Sequence, residues 1–247
     1  MTKAGFVFLL FLTLSALLST GVAQKAEKPW TEWTKQEVQK ILEHSPWAQI
    51  QNDTDTSQMM FSPTSAPGVN GASANSNTES RLAQGATNQA TNVKFFVRLF
   101  SARPVRQALA RQLALQQKLP EEAIAGLRKF AEVKSENSII VTVTYESTDQ
   151  RYGNKVMQAL NSAVTSTLKN NTYLQRTDGK QLFLEEYIPP GKDGFGARFI
   201  FLRYPDEKLF VDAKTTELRF VTQLSNELKV DRRFKIADMM YQGELEY

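Results

Sequence analysis

Cysteine is absent from all 247 residues, and histidine occurs once, at His44. No disulfide can staple such a chain and no thiolate can hold zinc, so its core depends on buried apolar packing. The composition permits that: 41% of the residues are hydrophobic and 10% aromatic, ordinary values for a folded protein and wrong for a disordered or fibrous one. Thiol chemistry is closed, and a Ser-His triad would have only His44 to draw on. Neither a typical metal site nor a cofactor is expected. Thirty Lys+Arg against 26 Asp+Glu leave a net charge of +4, too small a surplus to imply a nucleic-acid partner.

The N-terminus carries an address. Lys3 precedes an apolar run from Phe6 to Leu18, broken by Thr13 and Ser15. Gly21-Val22-Ala23 then sets small side chains at the −3 and −1 positions of a signal-peptidase cut before Gln24. The pattern predicts a signal peptide over 1–23, cleaved after Ala23, and a periplasmic or secreted mature chain. An uncleaved anchor is the competing reading, but a span needs roughly 20 apolar residues, slightly more than the run offers. No cysteine follows to carry a lipid, and no second stretch is long enough to cross a bilayer.

Beyond the signal the chain divides into three zones. Residues 24–50 form a Trp-rich helical segment. Thr34-Lys35-Gln36-Glu37 is a capping box, Val38, Ile41 and Leu42 share one face, and Ser45-Pro46 stops the helix. Residues 51–92 are a polar, low-complexity linker or long loop, flexible over about 65–92, with Met59-Met60-Phe61 as an apolar island able to dock as a strand.

Residues 93–247 carry regular patterning. Strands are predicted over 93–100, 139–145, 172–176, 181–187, 197–204, 217–224 and 233–240, with 242–247 continuing the last. Helices are predicted from Pro104, from Pro120 and over 154–168. Thr177-Asp178-Gly179-Lys180 reads as a hairpin turn. Helices early and strands late argue an α+β fold: a mainly antiparallel sheet with three helices packed on one face, plus the N-terminal Trp-rich helix.

Few residues suggest chemistry. His44 sits in a last helical turn, where a cap or surface role suits it. Glu185 and Glu186 point to opposite faces of a strand and do not readily serve one site; Glu244 and Glu246 share a face, and a solvated strand face is the default for both pairs. Asn52-Asp53-Thr54-Asp55 lacks the rest of a calcium loop. The Pro189–Gly196 loop lacks the Gly-Lys-Ser/Thr ending of a P-loop and reads as a hairpin loop that offers Phe195 for binding. Arg103, Arg106 and Arg111 lie away from Val105 and Leu109, either as a solvated helix face or as a face for lipid phosphate. Trp30, Trp33 and Trp47 suit an aromatic binding platform for a glycan or peptide, or a staple docking the short helix. The staple is favoured, because so short a helix is marginal in water alone.

Three stretches together resemble a group of exported proteins from soil-dwelling bacteria: Trp33-Thr34-Lys35 through Ser45-Pro46-Trp47-Ala48, Phe100-Ser101-Ala102-Arg103-Pro104-Val105-Arg106, and Phe234-Lys235-Ile236 through Gly243-Glu244-Leu245-Glu246-Tyr247. The resemblance implies a bacterial exported protein and brings no activity and no site residue. The preferred expectation is a non-enzymatic envelope or secreted binding protein with a protein or envelope-polymer partner, engaged through a sheet edge or the tryptophan segment. The alternative is a carboxylate-dependent hydrolase acting on a cell-wall polymer or glycan.

Overall fold

Thr34 opens the first helix, α1 (Lys35–Glu43), with the reciprocal bonds its sequence predicts. The Glu37 amide donates to Thr34 Oγ1 at 3.3 Å and the Thr34 amide to Glu37 Oε2 at 2.6 Å. Lys28 adds a 2.8 Å ion pair to the same carboxylate. Hydrogen bonds from Lys28 and Thr34 hold Glu37 down to a pKa of about 2. Val38 and Leu42 turn inward and are buried. The computed structural model describes residues 28–55, 91–117, 119–212 and 214–247. The signal segment, the Met59–Phe61 island and all of the expected linker except its two ends lie outside the described residues.

Those two ends are strands. β1 (Ala48–Asp55) pairs antiparallel with β2 (Thr91–Leu99), in register from Ala48 opposite Arg98 to Asp55 opposite Thr91. The sequence starts its first strand of the main domain at residue 93 and reads 51–55 as part of the linker. The polar run Gln51-Asn52-Asp53 is instead an edge strand, stabilised by its partner and not by its own propensity. Trp33, Val38, Leu42 and Trp47 belong to the same buried cluster as Phe95, Phe199 and Phe220.

The chain continues through α2 (Arg103–Gln116), α3 (Glu121–Glu132), β3 (Ser138–Ser147), α4 (Gln150–Ser162), α5 (Thr165–Leu168), β4 (Thr172–Arg176), β5 (Gln181–Phe183), β6 (Glu186–Ile188), β7 (Ala197–Leu202), β8 (Glu217–Gln223), β9 (Lys229–Lys235), β10 (Met240–Tyr241) and β11 (Glu244–Leu245). The fold is α+β and every strand pairing is antiparallel. One expected sheet is two: β1-β2-β3-β7-β6 and β5-β4-β8-β9, with β10-β11 as a separate hairpin. Phe220 meets Phe199 and Phe201 edge-on at 5.2 and 6.3 Å, which seats the sheets face to face.

The sheets are joined at both margins. At one, the predicted 181–187 strand bends at buried Leu184. The Leu184 amide donates to Thr172 in one sheet and the Glu185 amide to Ile200 in the other. At the other, the side chain of Gln51 acts as a missing backbone unit. Its Nε2 donates to the Lys229 carbonyl at 2.7 Å and its Oε1 accepts from the Asp231 amide at 2.8 Å. One carbonyl and one amide on the edge of β9 are thereby satisfied.

The helices also depart from the expectation of three on one face. α2 lies between α1 and α3, whereas α4 packs on β2 and β3 and α5 lies beside β6. The helix predicted over 154–168 starts earlier, capped by Asp149. It breaks where Ala163 and Val164 turn extended and the Thr167 hydroxyl accepts the Val164 amide, a competition typical of threonine. β9 sits four residues before its expected start, because Val230, Arg232 and Phe234 face Thr222, Phe220 and Leu218. The apolar stem of Arg232 fills an inward position that a residue-type pattern reads as polar. After it, Gln242 (φ 51) and Gly243 (φ 83) make a two-residue turn, so 242–247 forms its own hairpin with β10 instead of extending a strand.

Candidate binding cleft at the head of α2

α2 begins without a cap of its own. Ala102 occupies the N-cap position and has no side chain to offer, which leaves first-turn amides in need of acceptors. Glu246 supplies one across 143 positions: its Oε2 accepts the Arg103 amide at 3.0 Å, and its Oε1 lies 3.1 Å from Arg103 Nε. A carboxylate at a helix N-terminus also meets the positive end of the dipole. Glu246 is buried, whereas Glu244 is exposed and pairs with Lys134 at 3.0 Å and Arg103 at 3.5 Å. Lys134, and then Arg103, hold the Glu244 carboxyl below its ordinary range. Glu244 keeps the solvated strand position expected of the pair, whereas Glu246 is buried.

The same segment is held at three further points. Trp47 Nε1 donates to the Glu246 carbonyl at 2.7 Å, the Tyr241 hydroxyl to Gln107 Oε1 at 2.6 Å, and Arg203 Nη2 to the Tyr247 carbonyl at 2.5 Å. The Arg203 guanidinium also lies 4.2 Å from the centre of the Tyr247 ring. Burial pushes the Tyr247 hydroxyl up.

Two adjoining cavities open here. A polar cleft of about 430 Å³ is lined by Ser101, Lys134, Asn137, Arg203, Tyr204 and Glu246, among others. An apolar pocket of about 450 Å³ is walled by Phe100, Phe130, Val133 and Ile140. Ser101 and Ser135 line both. Val133, Tyr204 and Leu245 stand exposed around them at 54, 49 and 40%. Tyr204 precedes Asp206 (φ 54) and Glu207 (φ 60), two side-chain-bearing residues in left-handed backbone, a conformation that carries strain.

The arginines expected on an outer helix face are inside. Arg106 is 4% exposed, Arg103 is tied to Glu246, and Arg111 Nε donates to the Trp33 carbonyl at 2.8 Å. α2 is buried around its whole first two turns, so it has neither the solvated face nor the phosphate-facing surface that its sequence suggests. Burial lowers the proton affinity of Arg106, opposed by the nearby Glu246 and Glu132 charges.

Two of the three tryptophans are buried. Trp33 and Trp47 are each 8% exposed, with Nε1 of Trp33 donating to Lys28 O. Trp30 is half-buried and donates to Glu132 Oε1 at 3.0 Å. All three fasten the N-terminal segment to the helices or to the C-terminal hairpin. Phe195, expected to be offered by its loop, folds back: it stacks on Phe130 at 5.3 Å and 12° and lies 5.3 Å from Phe100. It therefore backs the apolar pocket. His44 caps α1 with an exposed side chain, and Glu185 and Glu186 are exposed. Among the described residues no group of three or more His, Asp or Glu could hold a metal ion, and no helix is long and apolar enough to cross a membrane.

Sequence reasoning missed Arg203, Tyr204 and the Lys134–Asn137 connection. They are loop and strand-end residues whose meeting depends on both sheets, and no local motif marks them. No protein-family model, curated protein or solved structure matches this chain.

Proposed function

We propose that the protein is an exported bacterial binding protein, periplasmic or secreted after cleavage behind Ala23, that works by contact with a protein or envelope-polymer partner and not by catalysis. The observation that carries this reading is how the ionisable groups at the cleft are used. Arg103 and Glu246, Lys134 and Glu244, and Arg203 with the Tyr247 carbonyl engage one another, while Tyr204, Val133 and Leu245 stand exposed at the rim. Tyrosine and arginine beside accessible apolar residues suit a contact surface. A carboxylate-dependent hydrolase needs one acid whose proton is held more tightly than usual. The described carboxyls that depart from their ordinary values, Glu37, Asp178, Asp212, Asp231 and Glu244, all depart downward. The three stretches that resemble exported soil-bacterial proteins also converge here, through Trp47, Arg103 and Glu246.

The test compares the immobilised protein with a Tyr204→Ala/Leu245→Ala double variant in capture from envelope and secreted fractions. A species held by the first and lost by the second is the expected result. Identical retention by both, or retention of nothing, would remove the reading. The mass of the protein recovered from its host, starting at Gln24 or not, checks export separately.

A further inference from the structure

The apolar pocket has a charge pattern of its own. Among the described residues, the ionisable ones that line it are Arg106 and Lys129, and no acid lines it. Arg106 is 4% exposed; Nη1 donates to the Phe100 and Ser101 carbonyls, but Nε and Nη2 have no hydrogen-bond partner. A buried guanidinium with unused N–H groups is costly to maintain. Lys129 stands exposed on α3 at the pocket mouth and makes no ion pair among the described residues. The remaining wall is hydrocarbon: Phe100, Phe130, Val133 and Ile140.

An occupant that complements this lining is apolar along its length and negative at one end. A neutral apolar molecule leaves Lys129 without a counter-charge and the unused N–H groups of Arg106 without an acceptor, a cationic one is repelled, and a bare inorganic anion forgoes the hydrocarbon wall. One buried guanidinium and one exposed ammonium suit a monoanion. We propose that this pocket binds a small amphiphilic carboxylate, its chain lying along Phe100, Phe130, Val133 and Ile140 and its head directed to Lys129 and Arg106. The proposal rests on the reading of this region as a binding surface and names a ligand class for its apolar half.

Gly126 of α3 lines the mouth, and a Cβ added there meets nothing within 4 Å. Gly126→Leu therefore occupies the entrance without a backbone clash, and exposed Lys129→Glu reverses a charge without touching the core. Titration calorimetry of the purified protein with decanoate below its micellar range is expected to show saturable binding. Decanol should bind about tenfold more weakly, since a charge-assisted contact is lost, and decyltrimethylammonium should not bind. Gly126→Leu should abolish the decanoate signal and Lys129→Glu weaken it by about fivefold, both with unchanged circular dichroism. Absence of decanoate binding, binding that survives Gly126→Leu, or equal affinity for the cationic analogue would overturn the proposal. No macromolecular partner enters this experiment, so its failure is distinct from failure of the capture experiment.

Discussion

The indole N–H of Trp47 donates to the main-chain carbonyl of Glu246 at 2.7 Å, across 199 positions of sequence. The same residue's carboxylate caps α2 through the Arg103 amide. One residue of the C-terminal segment thus fastens the tryptophan segment with its backbone and starts a helix with its side chain. Trp47→Phe keeps most of the ring and removes the donor. We expect a loss of about 1–2 kcal/mol in urea unfolding, the cost of a buried acceptor left unsatisfied. Trp47→Ala should cost about 3–5 kcal/mol, because a cavity is added.

Glu246→Ala leaves Arg103 with only the exposed Glu244 as a counter-charge and the first turn of α2 without an acceptor. Removing one member of a buried pair is strongly destabilising, so a loss of about 3 kcal/mol is expected. Glu246→Gln retains an oxygen for the amide and should lose less. Equal losses in the two variants would show that only the charge matters.

Acid should loosen the protein in a defined direction. Glu37, whose pKa is lowered from 4.5 to about 2, favours the folded state when ionised. A group with a depressed folded pKa lends stability above its unfolded pKa, lost as the pH falls through its folded value. Asp178, Asp212, Asp231 and Glu244 shift the same way. The thermal midpoint is expected to fall between pH 4.5 and 2, and Glu37→Gln should make that decline shallower.

Two glycines should respond with opposite signs. Gly126 lies within α3 with open space around it, so Gly126→Ala should raise stability by about 0.5–1 kcal/mol. Gly196 has φ +82, and a Cβ there would sit 2.5 Å from Thr144 Cγ2 and from the Val143 carbonyl oxygen. Gly196→Ala is expected to cost about 2 kcal/mol or more. Differential scanning calorimetry of the two variants reads both.

Gln51 completes the junction between the sheets. Gln51→Leu removes a donor and an acceptor from the Lys229 carbonyl and Asp231 amide, and a loss of about 1 kcal/mol is expected. The sharper readout is amide exchange. Asp231 should lose protection, while Phe199 and Phe220, fully buried between the sheets, keep theirs.

Elements carried by local chemistry were legible in the sequence: the Thr34 cap with its buried Val38 and Leu42, the prolines opening α2 and α3, and the turn at Gly179. Elements fixed by distant partners were not. β1 reads as polar chain because its stability comes from β2 and from the Gln51 bridge, and Arg106 reads as surface because its burial depends on a segment far along the sequence. The bend at Leu184 shows only when both sheets are in place. Of the candidate site, the sequence points to Phe195 with its ring turned outward and to the tryptophans as a staple or a platform. The cleft itself is an assembly of loop ends, for which periodicity has no signal.

A ribosome delivers residue 103 well before residue 246. Until the later one emerges, the leading turn of α2 has no carboxylate to receive its amide, and the Trp47 indole has no carbonyl to find. The last knot therefore ties only after nearly all of the folded region has been made, since distant pairings form late.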